Sequence, residues 1–318
     1  MNEQTLKVLE QYDFKVYKAV RARGGFLCNT SKGVKLLCQC DKPDSYYERE
    51  CRITEKIRDA AEFCVDAYVR SAADTLLVEN EEGKFYVKDW SLGREFNTDV
   101  LQEVEGAARL MAHMHIALDR EAEKECDIEA LIGEYERHAR ELKSIWNYLK
   151  AKKGKNSFEL LLYKNFKEFF NETEEFRCKV WECNLREIHA KKQLSHNCFD
   201  HHNILLDQIK PMIVNFDKVK AEPNMVDLYR FMRKILEKHG WNMPLAYKMI
   251  EAYDSVKTIS QWEQKILACL FTYPEKFWKI ANYYYNSSKA WMPEKNTAKL
   301  SNLIEQNENR KRFVKTLG

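Results

Sequence analysis

The spacing of apolar residues changes character along the chain. Before residue 99 it favours strands. A short helix-like stretch, QTLKVLEQY, comes first, and Lys15 to Arg21 then carries β-branched and aromatic residues. In GGFLCNTSKGVKLLCQC two apolar runs flank Ser31, Lys32 and Gly33, which predicts a β-hairpin. Glu48 to Arg58 reads as a helix, and KFYVKDW adds a strand with Phe85 and Val87 on one face.

From Asp99 the period becomes helical. Val100, Val104, Ala107, Met111, Met114 and Leu118 follow three-four spacing, with Asn97 or Thr98 placed to cap the start. Two amphipathic helices are expected over Ile128 to Lys150 and Phe158 to Glu182, separated by KKGKN. NILL and MIVNF then flank DQIKP as a short hairpin. Leu228, Phe231, Met232, Ile235 and Leu236 form a further apolar stripe behind Pro223 and a capping Asn224, and Ser260 with Glu263 is a capping-box signature opening a helix through Leu270. The order predicts an α+β chain with a strand-rich lobe over 1–90, a linker over 91–98, and a helical lobe over 99–318 that carries the hairpin.

Composition narrows the class without changing that picture. The 52 basic and 49 acidic residues are mixed in sign and leave a net charge of +3, with no basic stripe interleaved with aromatics, so nucleic acid is not an expected partner. The ten cysteines are scattered and no charged-then-apolar leader is evident, which argues for reduced thiols made in the cytosol. No apolar run approaches the roughly 18 residues that span a bilayer. Membrane insertion is not expected.

Chemistry-bearing residues concentrate in SHNCFDHHNILLD, Ser195 to Asp207. Metal binding by His196, Cys198, Asp200, His201 and His202 is one reading. Zinc sites, however, signal themselves by ligand pairs at two places in the chain, and this cluster is one loop. A Cys198 nucleophile activated by His201 or His202 is a weaker reading, because no third orienting group is identifiable.

The element order is that of a protein-kinase-like bilobal fold, and the loop falls where phosphotransferases of the aminoglycoside phosphotransferase and choline kinase type carry His-Gly-Asp-aromatic-His-x-x-Asn-apolar-Leu. His196, Phe199, Asn203, Ile204 and Leu205 resemble that frame in register. The resemblance implies that the base position is Cys198, that Asn203 is a metal ligand, and that the second metal position, in MIVNFDKV, is Asn215. A thiol and a neutral amide thus stand where two carboxylates are expected. It further places the phosphate-pairing lysine position at Cys38, with Glu48 or Glu50 as its helix partner and Trp90 at the edge of the cofactor region. Lys35 lies on the opposite strand face from residue 38 and does not substitute.

LEQYDF, RARGGFLCNTSKGVKLL, YVKDWSLGREFN, ARLMAHMH, DLYRFMRKIL and YPEKFWKIANYYYNSSKAW, with the loop and IVNFDKV, resemble in order the CotS-type spore coat proteins of this superfamily. What this implies is a kinase-like pseudoenzyme with a structural or interaction role, synthesis in the mother cell, a place in the spore coat, and other coat proteins as partners. No cofactor is then required. The alternative is an active phosphotransferase for a small hydroxylated substrate, using ATP and Mg²⁺, in which Asp200 or Asp217 compensates; strand alternation favours Asp217, on the same face as Asn215. A nucleotide or ligand sensor without catalysis is the third reading.

Overall fold

The computed structural model describes residues 6–182, 191–286 and 293–317. The chain packs as two compact units, residues 1–122 with 196–220, and residues 123–195 with 221–318. The strand-rich region expected over 1–90 lies within the first.

In the first unit β1 (Val16–Ala22), β2 (Gly25–Thr30) and β3 (Gly33–Gln39) form a meander. Arg23 and Gly24 join β1 to β2 with φ of 53° and 77°, the doubly left-handed turn whose twist suits a two-residue hairpin. Gly25 is needed for a different reason: a Cβ there would lie 2.1 Å from the Leu37 carbonyl oxygen. After helix α1 (Asp44–Ile57) come β4 (Cys64–Val65), β5 (Tyr68–Val69), β6 (Val78–Asn80) and β7 (Gly83–Asp89). The first sheet runs β1-β2-β3-β7-β5, with β6 also on β7. Cys28, Leu37, Phe85 and Val87 close one face of it against Val8, Leu9 and Tyr12.

A second sheet is assembled from distant pieces. The hairpin of β9 (Ile204–Leu206) and β10 (Met212–Ile213) pairs with β8 (Arg94–Glu95) on one side and, in parallel, with β4 on the other. A strand therefore sits inside the stretch expected as linker. The pairing of β10 with β4 brings Asn215 to Asp66, the residue after β4.

Two caps differ from expectation. Helix α2 (Leu101–Asp119) starts behind Val100 with no side-chain cap: the Asn97 side chain is spent on Asp99 N–H, and Glu103 reaches back from the first turn to Asn97 N–H. Asn224 is the first residue of its helix and not the cap; its N–H is taken by the Gln193 side chain.

The second unit holds α3 (Ile128–Ala151), α4 (Ser157–Glu182), α5 (Asn224–Lys238), α6 (Met243–Asp254), α7 (Gln261–Thr272), α8 (Glu275–Asn286) and α9 (Pro293–Leu317). Leu142, Leu149, Phe158, Leu162, Phe166, Phe169, Phe277 and Leu300 build its core. The capping box of Ser260 and Glu263 forms as the spacing requires. Of the aromatic segment Tyr273 to Trp291, Tyr273 and Phe277 are buried, while residues 287–291 lie outside the described part.

Candidate functional site

Lys88 sets the electrostatics of the first unit. It lies on β7 opposite Leu36, two residues from the Cys38↔Tyr86 pair, and directly opposed residues of an antiparallel pair share a face. Lys88 therefore projects from the same face as Cys38, one strand over. Its Nζ lies 2.6 Å from Glu50 Oε1 and 2.9 Å from Asp66 Oδ2. Tyr68 adds a 2.6 Å hydrogen bond from its hydroxyl to Glu50 Oε2, and its ring lies 4.6 Å from the ammonium. All three charged residues are buried.

Glu50, not Glu48, is thus the helix acid that meets a lysine, because Glu48 lies on the exposed face of α1. Cys38 makes no ion pair: its thiol is pushed up chiefly by burial, opposed by a hydrogen bond with Tyr86 and the nearby Lys88 charge. Lys35 bonds Asp89 at 2.6 Å instead. Burial disfavours a charged Lys88, and the carboxylates of Asp66 and Glu50 outweigh that, so its pKa is raised. Burial likewise pushes the Asp66 carboxyl up to about 6, opposed by Lys88 and assisted by the charge of Glu50.

From Asp66 a line of hydrogen bonds runs to the loop. Asp66 Oδ2 accepts Asn215 N–H at 3.1 Å, and Asn215 Nδ2 donates to Asn203 Oδ1 at 2.7 Å. Asn203 Nδ2 in turn donates to the Cys198 carbonyl at 2.7 Å and lies 3.4 Å from its sulfur. Lys218 Nζ is 3.9 Å from the same sulfur. Asn215 adopts φ 67° and ψ 62°, a left-handed conformation that asparagine tolerates better than most residues. His196 shapes the loop from beneath: its Nδ1 accepts Cys198 N–H at 3.2 Å, so Nε2 carries the hydrogen given to the Val214 carbonyl. That arrangement requires a neutral ring.

The two candidate replacement carboxylates are both engaged elsewhere. Asp200 accepts His202 N–H at 3.1 Å as the cap of the 3-10 turn His201–Asn203. Asp217 accepts the Tyr46 hydroxyl at 2.5 Å, and Arg49 bonds its carbonyl. The alternation that would put Asp217 beside Asn215 fails, because β10 ends at Ile213 and residues 216–218 form a 3-10 turn. Trp90 is buried with Leu36, Leu205, Met212 and Val214, against Leu27, Val34 and Cys38, so apolar side chains of the first sheet rest directly on β9 and β10. The five-residue metal set drawn from the loop alone does not form: His196, Cys198 and Asp200 have the separate engagements just given.

Lys88 and Asp66 escaped the sequence reading. The alternation that buries Phe85 and Val87 puts Lys88 on the other face, but no local pattern shows that Tyr68, its partner across β5 and β7, and Glu50 of α1 meet it there.

The strand-rich first unit and the helical second unit together define a protein-kinase-like, phosphotransferase-like fold. The model of the family described as "Spore coat putative kinase YutH" matches residues 5–317, and the chain belongs to that family. Among solved structures it resembles an aminoglycoside phosphotransferase from Alicyclobacillus acidocaldarius, at 19% identity over 100% of this chain and 95% of that one, with a TM-score of 0.84. A spectinomycin phosphotransferase matches at 11% identity, covering 97% and 98% of the two chains (TM-score 0.63), and a microcompartment-associated aminopropanol kinase at 15%, covering 99% and 98% (TM-score 0.59). At these identities the likeness establishes the fold. No curated protein matches the chain.

Proposed function

We propose that this protein is a non-catalytic member of its family, a kinase-like component of the spore coat that acts through structure and interaction with other coat proteins. One observation supports the reading: Asn215 donates to Asn203 and Asn203 to the Cys198 carbonyl, in a hydrogen-bonded line at the positions that the kinase resemblance assigns to a dication. Mg²⁺ is bound by hard, charged oxygens, and a pair of amides with a thiol supplies no charge to retain it against phosphate. The carboxylate in that line, Asp66, is ion-paired with Lys88, and Asp200 and Asp217 are tied to other partners. Packing of Leu27, Val34 and Leu36 onto Leu205, Met212 and Val214 supports the same reading, since a purine inserted there would have to part them. The protein acts after synthesis in the mother cell, by being assembled and not by turning over substrate.

The test is the melting temperature of the purified chain with ATP and Mg²⁺, against ATP with chelator. The expected result is the same melting temperature in both at millimolar nucleotide. Stabilisation that requires Mg²⁺ would overturn the reading and favour a sensor or a surviving transferase.

A further inference from the structure

Glu95, His201 and His202 bring three ligating atoms to within 4.8 Å of one another. Two pieces of chain more than a hundred residues apart build the cluster. The pairing of Glu95 with Leu205 across β8 and β9 sets the carboxylate beside the turn that carries the imidazoles. His202 Nδ1 lies 2.8 Å from Glu95 Oε2, and the rings of His201 and His202 are 3.8 Å apart at 37°. That near-stacking is how two sequence neighbours reach one point.

The surroundings hold the donors in place. Arg23, at the left-handed β1–β2 turn, bonds Glu95 Oε1 at 2.9 Å and the His202 carbonyl at 3.2 Å. It ties carboxylate to turn and leaves Oε2 directed at the histidine. Asp200, bonded to His202 N–H, fixes the turn that carries both imidazoles. An ordinary ion pair would need His202 alone; His201, edge-on to the Phe96 ring at 6.2 Å, brings a second imidazole to the same point.

From this we infer that Glu95, His201 and His202 form a binding site for a divalent ion of the Zn²⁺ class. Two imidazole nitrogens and one carboxylate oxygen are a donor set Zn²⁺ takes, with a fourth position open to water. With metal–ligand bonds of about 2.0 Å, tetrahedral donors stand about 3.3 Å apart. The His202–Glu95 pair is already near that spacing, and the wider separations close by side-chain rotation, for which the 63% exposure of His202 leaves room. The ion would clamp β8 to the turn that ends in Asn203. The site uses none of the side chains of the amide line, although its turn ends in Asn203.

Glu95 lies outside the loop that holds the two histidines, and only the pairing of β8 with β9 brings it to them. The site is tested with the full chain, chelator-treated and reduced, titrated with Zn²⁺ and with Co²⁺ as a spectroscopic probe. One equivalent should bind at micromolar concentration, with Co²⁺ giving visible d–d bands of a four-coordinate site and no thiolate charge-transfer band. His202→Ala and Glu95→Gln should each weaken binding about tenfold or more, as losing one of three protein ligands requires. Both side chains are partly exposed, so the metal-free variants should keep the wild-type melting temperature. Failure of the wild type to bind, unchanged binding in the double variant His201→Ala/His202→Ala, or a thiolate band placing the ion on cysteine would each overturn the assignment.

Discussion

Lys88 Nζ lies 2.6 Å from Glu50 Oε1, and the two residues are 4% and 3% exposed. A lysine and a helix glutamate thus meet in the first unit although the strand position expected to supply the lysine is Cys38. The pair is completed by Asp66, so one buried cation faces two buried carboxylates. Such a cluster is specified by its partners: removing one leaves charge in a medium that solvates it poorly.

Lys88→Met is therefore expected to destabilise the chain by about 3–5 kcal/mol, the loss typical when one partner of a buried ion pair is deleted. Urea unfolding followed by circular dichroism reads this directly. Glu50→Gln should be milder, because Asp66 still compensates the lysine and Tyr68 can still bond the amide oxygen. Equal stability of Lys88→Met and wild type would show that the cluster is not structural.

Asp66 gives the first unit a pH signature. Its carboxyl sits at about 6 in the fold, against the ordinary value of about 3.8, so the folded chain holds the proton more tightly than the unfolded chain. The stability from this group is fully present below the unfolded value and is lost as pH rises through about 6. Relative to Asp66→Asn, the wild type should gain about 1 kcal/mol between pH 7 and pH 5. Denaturation midpoints of both proteins at the two pH values decide it; a constant difference contradicts the assignment.

His138 in the second unit works in the opposite sense. Burial, then the neighbouring Arg137, lowers its pKa from 6.5 to about 3, and its ring stacks on Trp278 with centroids 3.4 Å apart. The folded state resists protonation, so the contribution is present above about 6.5 and declines as pH falls toward 3. Between pH 6.5 and 5 the wild-type melting temperature should fall more steeply than that of His138→Phe, which keeps the stack and cannot titrate. Parallel curves would refute this.

Local signals guide the hairpins and the capping box better than the other helix caps, where Asn97 and Asn224 do not act as expected. The β2–β3 and β9–β10 hairpins, the Phe85 and Val87 face and the Ser260–Glu263 box each depend on neighbours a few residues apart, and each forms. The site is legible only in part, because its geometry depends on pairings that no local pattern encodes. The parallel contact of β4 with β10 sets Asp66 beside Asn215, and Lys88 meets Glu50 of α1 beside Tyr68, its cross-strand partner on β5. Asp217 shows the converse error: alternation was extended past Ile213, where the backbone leaves the strand and turns left-handed at Asn215.

The central claim is that the line Asn215–Asn203–Cys198 cannot hold a dication against nucleotide phosphates. It is tested most directly by Mg²⁺-dependent release or transfer of the ATP γ-phosphate by the purified wild-type chain, across small hydroxylated acceptors, beside Asn203→Ala. Rates at the no-protein background for both proteins are the predicted result. Turnover by the wild type that requires Mg²⁺ and is abolished by Asn203→Ala would contradict it.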